Sequence, residues 1–289
     1  MPPSPAVLVT GASTGIGEAC AVGLAGAGYR VFAAVRRAED GRRVEGLDPS
    51  LIRPLLLDVT RPEQIDAAAR AVDDAVGEAG LAGLVNNAGI VVGGPLEFVS
   101  PDDLRRQLEV NVVGLHAVTV AFLPLIRRAR GRIVNIGSIS GRIASPLTGP
   151  YSASKHAVEA LTDSLRLELA PEGLHVSVVE PGQVRTSIWE KGLADFARFA
   201  ERVPPEGVTR YAGRLKALRW ILERAPRHAV PPEVVAAAVL HALAARKPRT
   251  RYVIGRDARI RLGLSRLLSD RLMDALTLAT LDRLERRAK

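Results

Sequence analysis

Short apolar runs alternate with helical segments as far as Pro181, and this alternation restricts the fold more than any other feature of the chain. The runs are Ala6–Thr10, Arg30–Val35, Leu55–Asp58, Leu84–Asn86, Arg132–Ile136 and His175–Val179. Between them, helical spacing covers about Gly15 to Gly28, Pro62 to Gly77, Pro101 to Arg128 and Tyr151 to Ala170. Strands apolar along their whole length, each separated from the next by a helix, form a parallel sheet covered on both faces. The expected class is therefore α/β, a doubly wound parallel sheet. Such a sheet binds its ligand at the carboxyl ends of its strands, where strand order reverses.

The alternation stops near Pro181. Residues 183–231 read as an irregular or helical insertion, followed by a helix near Pro232 to Ala245 and a last strand at Arg251–Gly255. Residues 259–289 form an amphipathic extension whose apolar positions Leu264, Leu268, Leu272, Ala275, Leu276 and Ala279 keep helical spacing. Arg266, Asp270, Arg271 and Asp274 lie beside that stripe, so its polar face is of mixed charge. An apolar stripe left in water is a liability, so the tail is expected to pack near the insertion or at a subunit contact.

Composition removes several classes. With 47% hydrophobic and 25% charged residues the 289-residue chain is neither disordered nor collagenous. One cysteine, Cys20, excludes an internal disulfide and a four-cysteine zinc site, and a reducing compartment is expected. Met1–Pro5 has neither the basic nor the apolar region of a secretory signal, and no uninterrupted apolar run is long enough to span a membrane, so a cytoplasmic protein is expected. The net charge of +9 is uneven: residues 1–190 carry 18 basic and 21 acidic side chains (−3), residues 191–289 carry 22 and 10 (+12). A solvated arginine-rich surface explains this surplus. Loose association with an anionic membrane surface is the less favoured reading, and nucleic acid is not expected, since no zinc-finger, basic-zipper or single-strand-binding pattern is present.

The segments that carry chemistry lie near the carboxyl end of the expected sheet. Thr10-Gly11-Ala12-Ser13-Thr14-Gly15-Ile16-Gly17 lies between the first strand and the first helix, where glycines permit a tight turn and the helix N-terminus offers free N–H groups to a pyrophosphate. The second strand ends in Arg36-Arg37, where an acid would serve a ribose 2′-hydroxyl; two guanidinium groups instead suit a 2′-phosphate, so NADP(H) is expected to be preferred, with NAD(H) as the lesser option. Asp58 stands where an adenine amino group could donate to it, and Asn86-Asn87-Ala88-Gly89 forms a small turn able to pass beneath a cofactor. Tyr151 and Lys155, at i and i+4, share one helix face. A nearby ammonium favours phenolate, and is expected to bring the tyrosine down from about 10 towards working pH, where it exchanges a proton with a carbonyl or alcohol. Ser138 offers a hydroxyl to the same oxygen, and Asn111 can hold a water beside Lys155.

Taken together, Thr10-Gly11-x-x-x-Gly15-x-Gly17, Asn86-Asn87-Ala88-Gly89, Asn111, Ser138, Tyr151-x-x-x-Lys155 and Pro181-Gly182 resemble the motif set of the short-chain dehydrogenases/reductases, over about residues 5–255. The resemblance implies a Rossmann-type catalytic domain over residues 1–258, a nicotinamide cofactor and no metal. It implies that Tyr151 is the acid/base, that Lys155 lowers its pKa and binds the nicotinamide ribose, that Ser138 polarises the carbonyl and that Asn111 keeps a proton-relay water. Positions implied for cofactor binding are Gly11, Ser13, Thr14, Gly15, Ile16, Gly17, Arg36, Arg37, Asp58, Val59, Asn87, Ala88, Gly89, Tyr151, Lys155, Pro181, Gly182, Val184 and Thr186. The segment from Gly131 to Thr186 is most similar to the retinol and hydroxysteroid dehydrogenase branch.

The insertion holds Trp189, Phe196, Phe199, Tyr211 and Trp220, five of the chain's eleven aromatics, and reads either as an apolar lid over an alcohol or ketone or as a flap packed on the domain. The expected reaction is NADP(H)-dependent interconversion of a small apolar alcohol with its ketone or aldehyde, in a homodimer or homotetramer. The competing expectation is a regulator of the same fold that binds the cofactor without turnover.

Overall fold

The computed structural model describes residues 4–186, 203–224 and 229–287. Seven parallel strands form one sheet: β1 (Ala6–Thr10), β2 (Arg30–Val35), β3 (Ile52–Leu56), β4 (Gly83–Asn86), β5 (Arg132–Ile136), β6 (His175–Pro181) and β7 (Arg251–Ile254), in the order β3-β2-β1-β4-β5-β6-β7. The order reverses between β1 and β4, the switch point at which a ligand is expected. One face is covered by α1 (Gly15–Gly26), α2 (Ala38–Glu45) and α8 (Pro232–Ala244), whose Cys20, Leu24, Val44, Val235 and Val239 pack against Val7, Val9, Val31 and Val85. On the other, α3 (Pro62–Val76) and α5 (Gly114–Ala129) bring Ile65, Val72, Val118, Phe122 and Ile126 against Leu8, Phe32, Leu84 and Ile133. Strand residues alternate between the two clusters because side chains point to opposite faces with period two. The Cys20 thiol sits in the first cluster, where burial pushes it up to about 12 and leaves it inert.

The elements depart from expectation in three places. β3 pairs with β2 from Ile52 to Leu56, not from Leu55. It is an edge strand with an alternating, partly exposed face and carries Pro54, so the run Leu55–Leu57 marks its end and not its extent. The segment expected as one helix from Pro101 is α4 (Pro101–Leu108), a π turn at Glu109–Val113 and then α5. That run is long and apolar enough to cross a membrane by length and composition, which no uninterrupted apolar stretch predicted; its apolar side is the sheet's own core. Third, the tail splits into α9 (Arg256–Leu267) and α10 (Asp270–Arg287), which breaks the expected stripe at Leu268.

The insertion contributes α7 (Pro205–Arg224). Tyr211 meets Phe98 edge to face at 6.1 Å, in a small cluster with Val203 and Leu215. Arg210 pairs with Glu97, and Arg214 with Asp282 and Glu285 of α10 at 2.7 and 2.6 Å. The tail therefore docks on α7, but through these charges: Leu264, Leu272 and Leu276 remain exposed. Trp220 lies under Arg224, while Trp189, Phe196 and Phe199 lie outside the described residues.

Candidate active site

The glycine-rich turn joins β1 to α1, with Gly11 and Gly15 in the left-handed region (φ +63° and +61°) that side chains disfavour. Gly17 is constrained by space: a Cβ there would lie 2.2 Å from the Gly11 carbonyl oxygen and 2.5 Å from Asn87 Nδ2. Asn87 donates from Nδ2 to the carbonyls of Thr10 (2.9 Å) and Gly11 (3.1 Å), and the Thr10 hydroxyl accepts from the amides of Asn87 and Ala88 at 2.9 and 3.0 Å. Asn86 reaches across the sheet to Thr119 and Asn135, both at 2.9 Å. The two motifs thus brace one another at the switch point.

The 183–186 turn folds back over this loop. A Cβ on Gly15 would meet Thr186 at 3.0 Å, while Val184 bridges to Val230 and the Gly182 amide donates to Ile254. Asp257 accepts from the Gln183 amide and crowds Gly182. A cavity of about 770 Å³ opens beside the loop, lined among others by Thr14, Gly15, Glu18, Arg43, Arg185 and Thr186; it does not reach Tyr151.

The two arginines after β2 are not equivalent. Arg37 is engaged by Asp40 (2.9 and 3.2 Å) and Glu39 (3.2 Å), and these acids raise its pKa further. Arg36 is exposed and makes no hydrogen bond or ion pair among the described residues, so it alone of the two presents an unengaged guanidinium. A third arginine was not legible in sequence: Arg43 of α2 donates to the Ser13 carbonyl and to Glu18. Asp58 lies just beyond β3, its Oδ1 accepting from the Thr60 amide and hydroxyl, and Val59 packs under Gly114.

Tyr151 and Lys155 lie in α6 (Gly149–Leu169), and Ser138 caps the turn after β5, its Oγ accepting from the Ser140 amide. The Ser138 side chain lies near enough to the Tyr151 phenol to favour its ionised form. Lys155 Nζ donates to the Ile136 carbonyl at 2.7 Å and lies 5.9 Å from the centre of the Tyr151 ring. The expected lowering of the tyrosine is not found: burial raises the Tyr151 pKa, and the nearby Ser138 side chain only partly opposes this. It is the lysine that moves down, to about 8, because burial penalises its charge more than Glu159 supports it.

Asn111 belongs to the π turn. It accepts from the Ile90 amide at 2.9 Å and donates to the Ile90 carbonyl and Ser154 Oγ, both at 3.1 Å, thereby tying the loop after Gly89 to α6. Gln107, fully buried and one turn earlier, repeats the clamp on Ile90, Val92 and Ser154. A buried glutamine within a polar helix segment gave no sign of that role.

The loop, the bracing asparagine turn and the unengaged Arg36 fit a dinucleotide, and Gly17 is a point where only a bare backbone can be accommodated. Residues 5–195 match the short chain dehydrogenase family profile. Retinol dehydrogenase 5 of Mus musculus is 38% identical over 275 residues, covering 93% of this chain and 86% of its own. The chain belongs to the short-chain dehydrogenase/reductase family. Within it the chain falls in the retinol and hydroxysteroid dehydrogenase branch, and it is an oxidoreductase. The NADPH-dependent 3-dehydrocapnine reductase of Ornithobacterium rhinotracheale is 34% identical, covering 92% of this chain and 94% of its own. A solved short chain dehydrogenase from Burkholderia cenocepacia J2315, in complex with NADP, superposes with a TM-score of 0.70 at 29% identity, covering 96% and 97% of the two chains.

Proposed function

We propose that the protein interconverts an apolar alcohol with its ketone or aldehyde, using NADP(H) in preference to NAD(H), and that Tyr151, Ser138, Lys155 and Asn111 carry the reaction. The observation that supports this reading most is Lys155, buried one turn beyond Tyr151 on α6 with its Nζ on the Ile136 carbonyl, two residues before the Ser138 whose side chain acts on the Tyr151 phenol.

The nicotinamide, when bound, supplies or accepts the hydride. In reduction, Tyr151 donates its proton to the oxygen that becomes anionic, and Ser138 donates a hydrogen bond to that same oxygen. A tyrosine kept protonated by burial is suited to this direction. Lys155 holds positive charge behind the phenol, and Asn111 holds the helix at Ser154 while fixing the loop that follows Gly89. Arg36 supports the preference for a 2′-phosphate, and the NADPH-dependent relative and the NADP-bound neighbour support it independently. Support for an apolar substrate comes from Val203, Tyr211 and Leu215 of the insertion, which gather against Phe98, and from the retinol dehydrogenase relative.

A panel of retinoid, steroid, fatty and aromatic alcohols and ketones, assayed with both cofactors, tests the reading. Turnover of at least one apolar pair, faster with NADP(H), is expected. Tight NADP(H) binding with no turnover across the panel would instead make the chain a cofactor-binding regulator.

A further inference from the structure

The three segments that carry Ser138, Lys155 and Pro181–Gly182 meet again one layer beneath the site. Glu159, one turn after Lys155 on α6, is 6% exposed, and Glu180, immediately before Pro181 on β6, is 0% exposed. Glu159 Oε2 accepts from Arg251 Nη2 at 3.1 Å. Glu180 Oε1 accepts from Arg142 Nη1 at 3.2 Å and lies 3.3 Å from Arg251 Nε. The two remaining oxygens, Glu159 Oε1 and Glu180 Oε2, are buried and have no donor. Both carboxyl groups nevertheless lie on one guanidinium, Glu159 at Nη2 and Glu180 at Nε of Arg251, which holds them side by side.

Two ionised carboxylates placed so would repel each other and leave two buried acceptors unsatisfied. A single proton between them removes both costs, since a protonated carboxyl donates and its partner accepts. Burial and the charge of Glu180 act in this direction on Glu159, pushing it up to about 7 against the pull of Arg251.

The pair sits directly behind the Ser138 turn. A Cβ on Gly137 would lie 3.0 Å from Glu159 Oε1, and one on Gly141 would lie 3.1 Å from Glu159 Cγ and 2.7 Å from the Lys155 carbonyl oxygen. Arg142 closes the same turn. The charged groups around Glu159 are Glu180 and Arg251 from the sheet, Arg142 from the turn, and Lys155 and Asp163 from its own helix, Asp163 being held by Arg251 and Arg166.

We propose that Glu159 and Glu180 share one proton, and that this carboxyl pair, clamped by Arg142 and Arg251, is a positioning device that locks the Ser138 turn, the Lys155 helix and the Pro181–Gly182 turn together and supports the Lys155 ammonium. This rests on the assignment of Ser138, Tyr151 and Lys155 as the reacting groups. As pH rises the shared proton leaves, and negative charge accumulates beside Lys155 in the range where burial would otherwise strip its proton. The pair therefore extends the ammonium form towards alkaline pH.

Infrared spectroscopy of the full-length protein carrying 13C-labelled glutamate tests the shared proton without reference to turnover. A protonated-carboxyl band is expected at pH 6, fading above pH 8 and missing from Glu159→Gln and Glu180→Gln. No such band in the unmutated protein at pH 6, or its persistence in Glu159→Gln, overturns the shared proton. The pH profile of turnover tests the coupling to Lys155. In Glu159→Gln the amide still donates to Glu180 but position 159 can no longer ionise beside Lys155, so the alkaline limb should move down by about one pH unit, a tenfold loss at a given alkaline pH. Glu159→Ala should lower the rate across the whole profile. An unmoved limb in Glu159→Gln overturns the electrostatic role, and equal losses in Gln and Ala at every pH reduce the pair to structure. If the unmutated protein turns over no substrate, the assignment of reacting groups fails, and the infrared band still decides the shared proton.

Discussion

The sheet with the helices that cover it and the contact between α7 and α10 are held by different forces. Around β1 and β4, glycines meet backbone at distances that admit no side chain, and Thr10, Asn86 and Asn87 cross-link segments 33 to 78 residues apart. α10 has no buried residue, and among the described residues its side-chain hydrogen bonds to α7 are those of Arg214 with Asp282 and Glu285. Close packing holds a single geometry, because a displaced neighbour has nowhere to go. Ion pairs on partly exposed side chains tolerate several geometries and weaken with salt. The first is built for positioning and the second for adjustment.

The largest effect that would test this contrast is expected from the smallest chemical change. Tyr151→Phe should lower turnover by about 10²–10⁴-fold, the usual contribution of an acid/base group, with NADP(H) affinity nearly unchanged by titration calorimetry. Retention of more than about a tenth of the rate would remove Tyr151 as the acid. Gly17→Ala should cost about 1–3 kcal/mol in denaturant melts, as overpacking does, and weaken cofactor binding as well, since the Gly11 carbonyl must move. A neutral result would mean that the loop is as adjustable as the tail. Arg36→Asp should reverse the cofactor preference, a loss of about tenfold or more for NADP(H) by steady-state kinetics, while Arg37→Asp should do less because Arg37 is already engaged. Smallest of all, Arg214→Ala should cost about 0.2–1 kcal/mol, and the difference should vanish in high salt. A larger, salt-insensitive loss would mean that α10 is packed as tightly as the sheet.

What the sequence disclosed divides along the same line. Gly11, Gly15, Gly17, Tyr151 and Lys155 were legible because their chemistry depends on spacing within one loop or one helix turn. Gln107, Arg43 and the Glu159–Glu180 pair were not, because each takes its meaning from a partner that only the fold brings near. The stripe Leu264, Leu272, Leu276 announced an apolar face, but periodicity cannot say which surface, if any, covers it; α10 docks through Asp282 and Glu285. The Tyr151 pKa was misjudged for a related reason. The i+4 ammonium is visible in sequence, whereas the burial that outweighs it is a property of the assembled site.

The π turn at Glu109–Val113 sets regularity against function. It accommodates one residue more than an α-helix would, and that surplus lets Asn111 face Ile90 and Ser154 while Val118, Phe122 and Ile126 still face the sheet. Winding the same residues into a regular helix from Pro101 to Ala129 would turn one side of the join by about 100° relative to the other, so that Asn111 could no longer meet Ile90 and Ser154 while Phe122 met the sheet. A designer seeking to idealise this backbone would have to keep its irregularity.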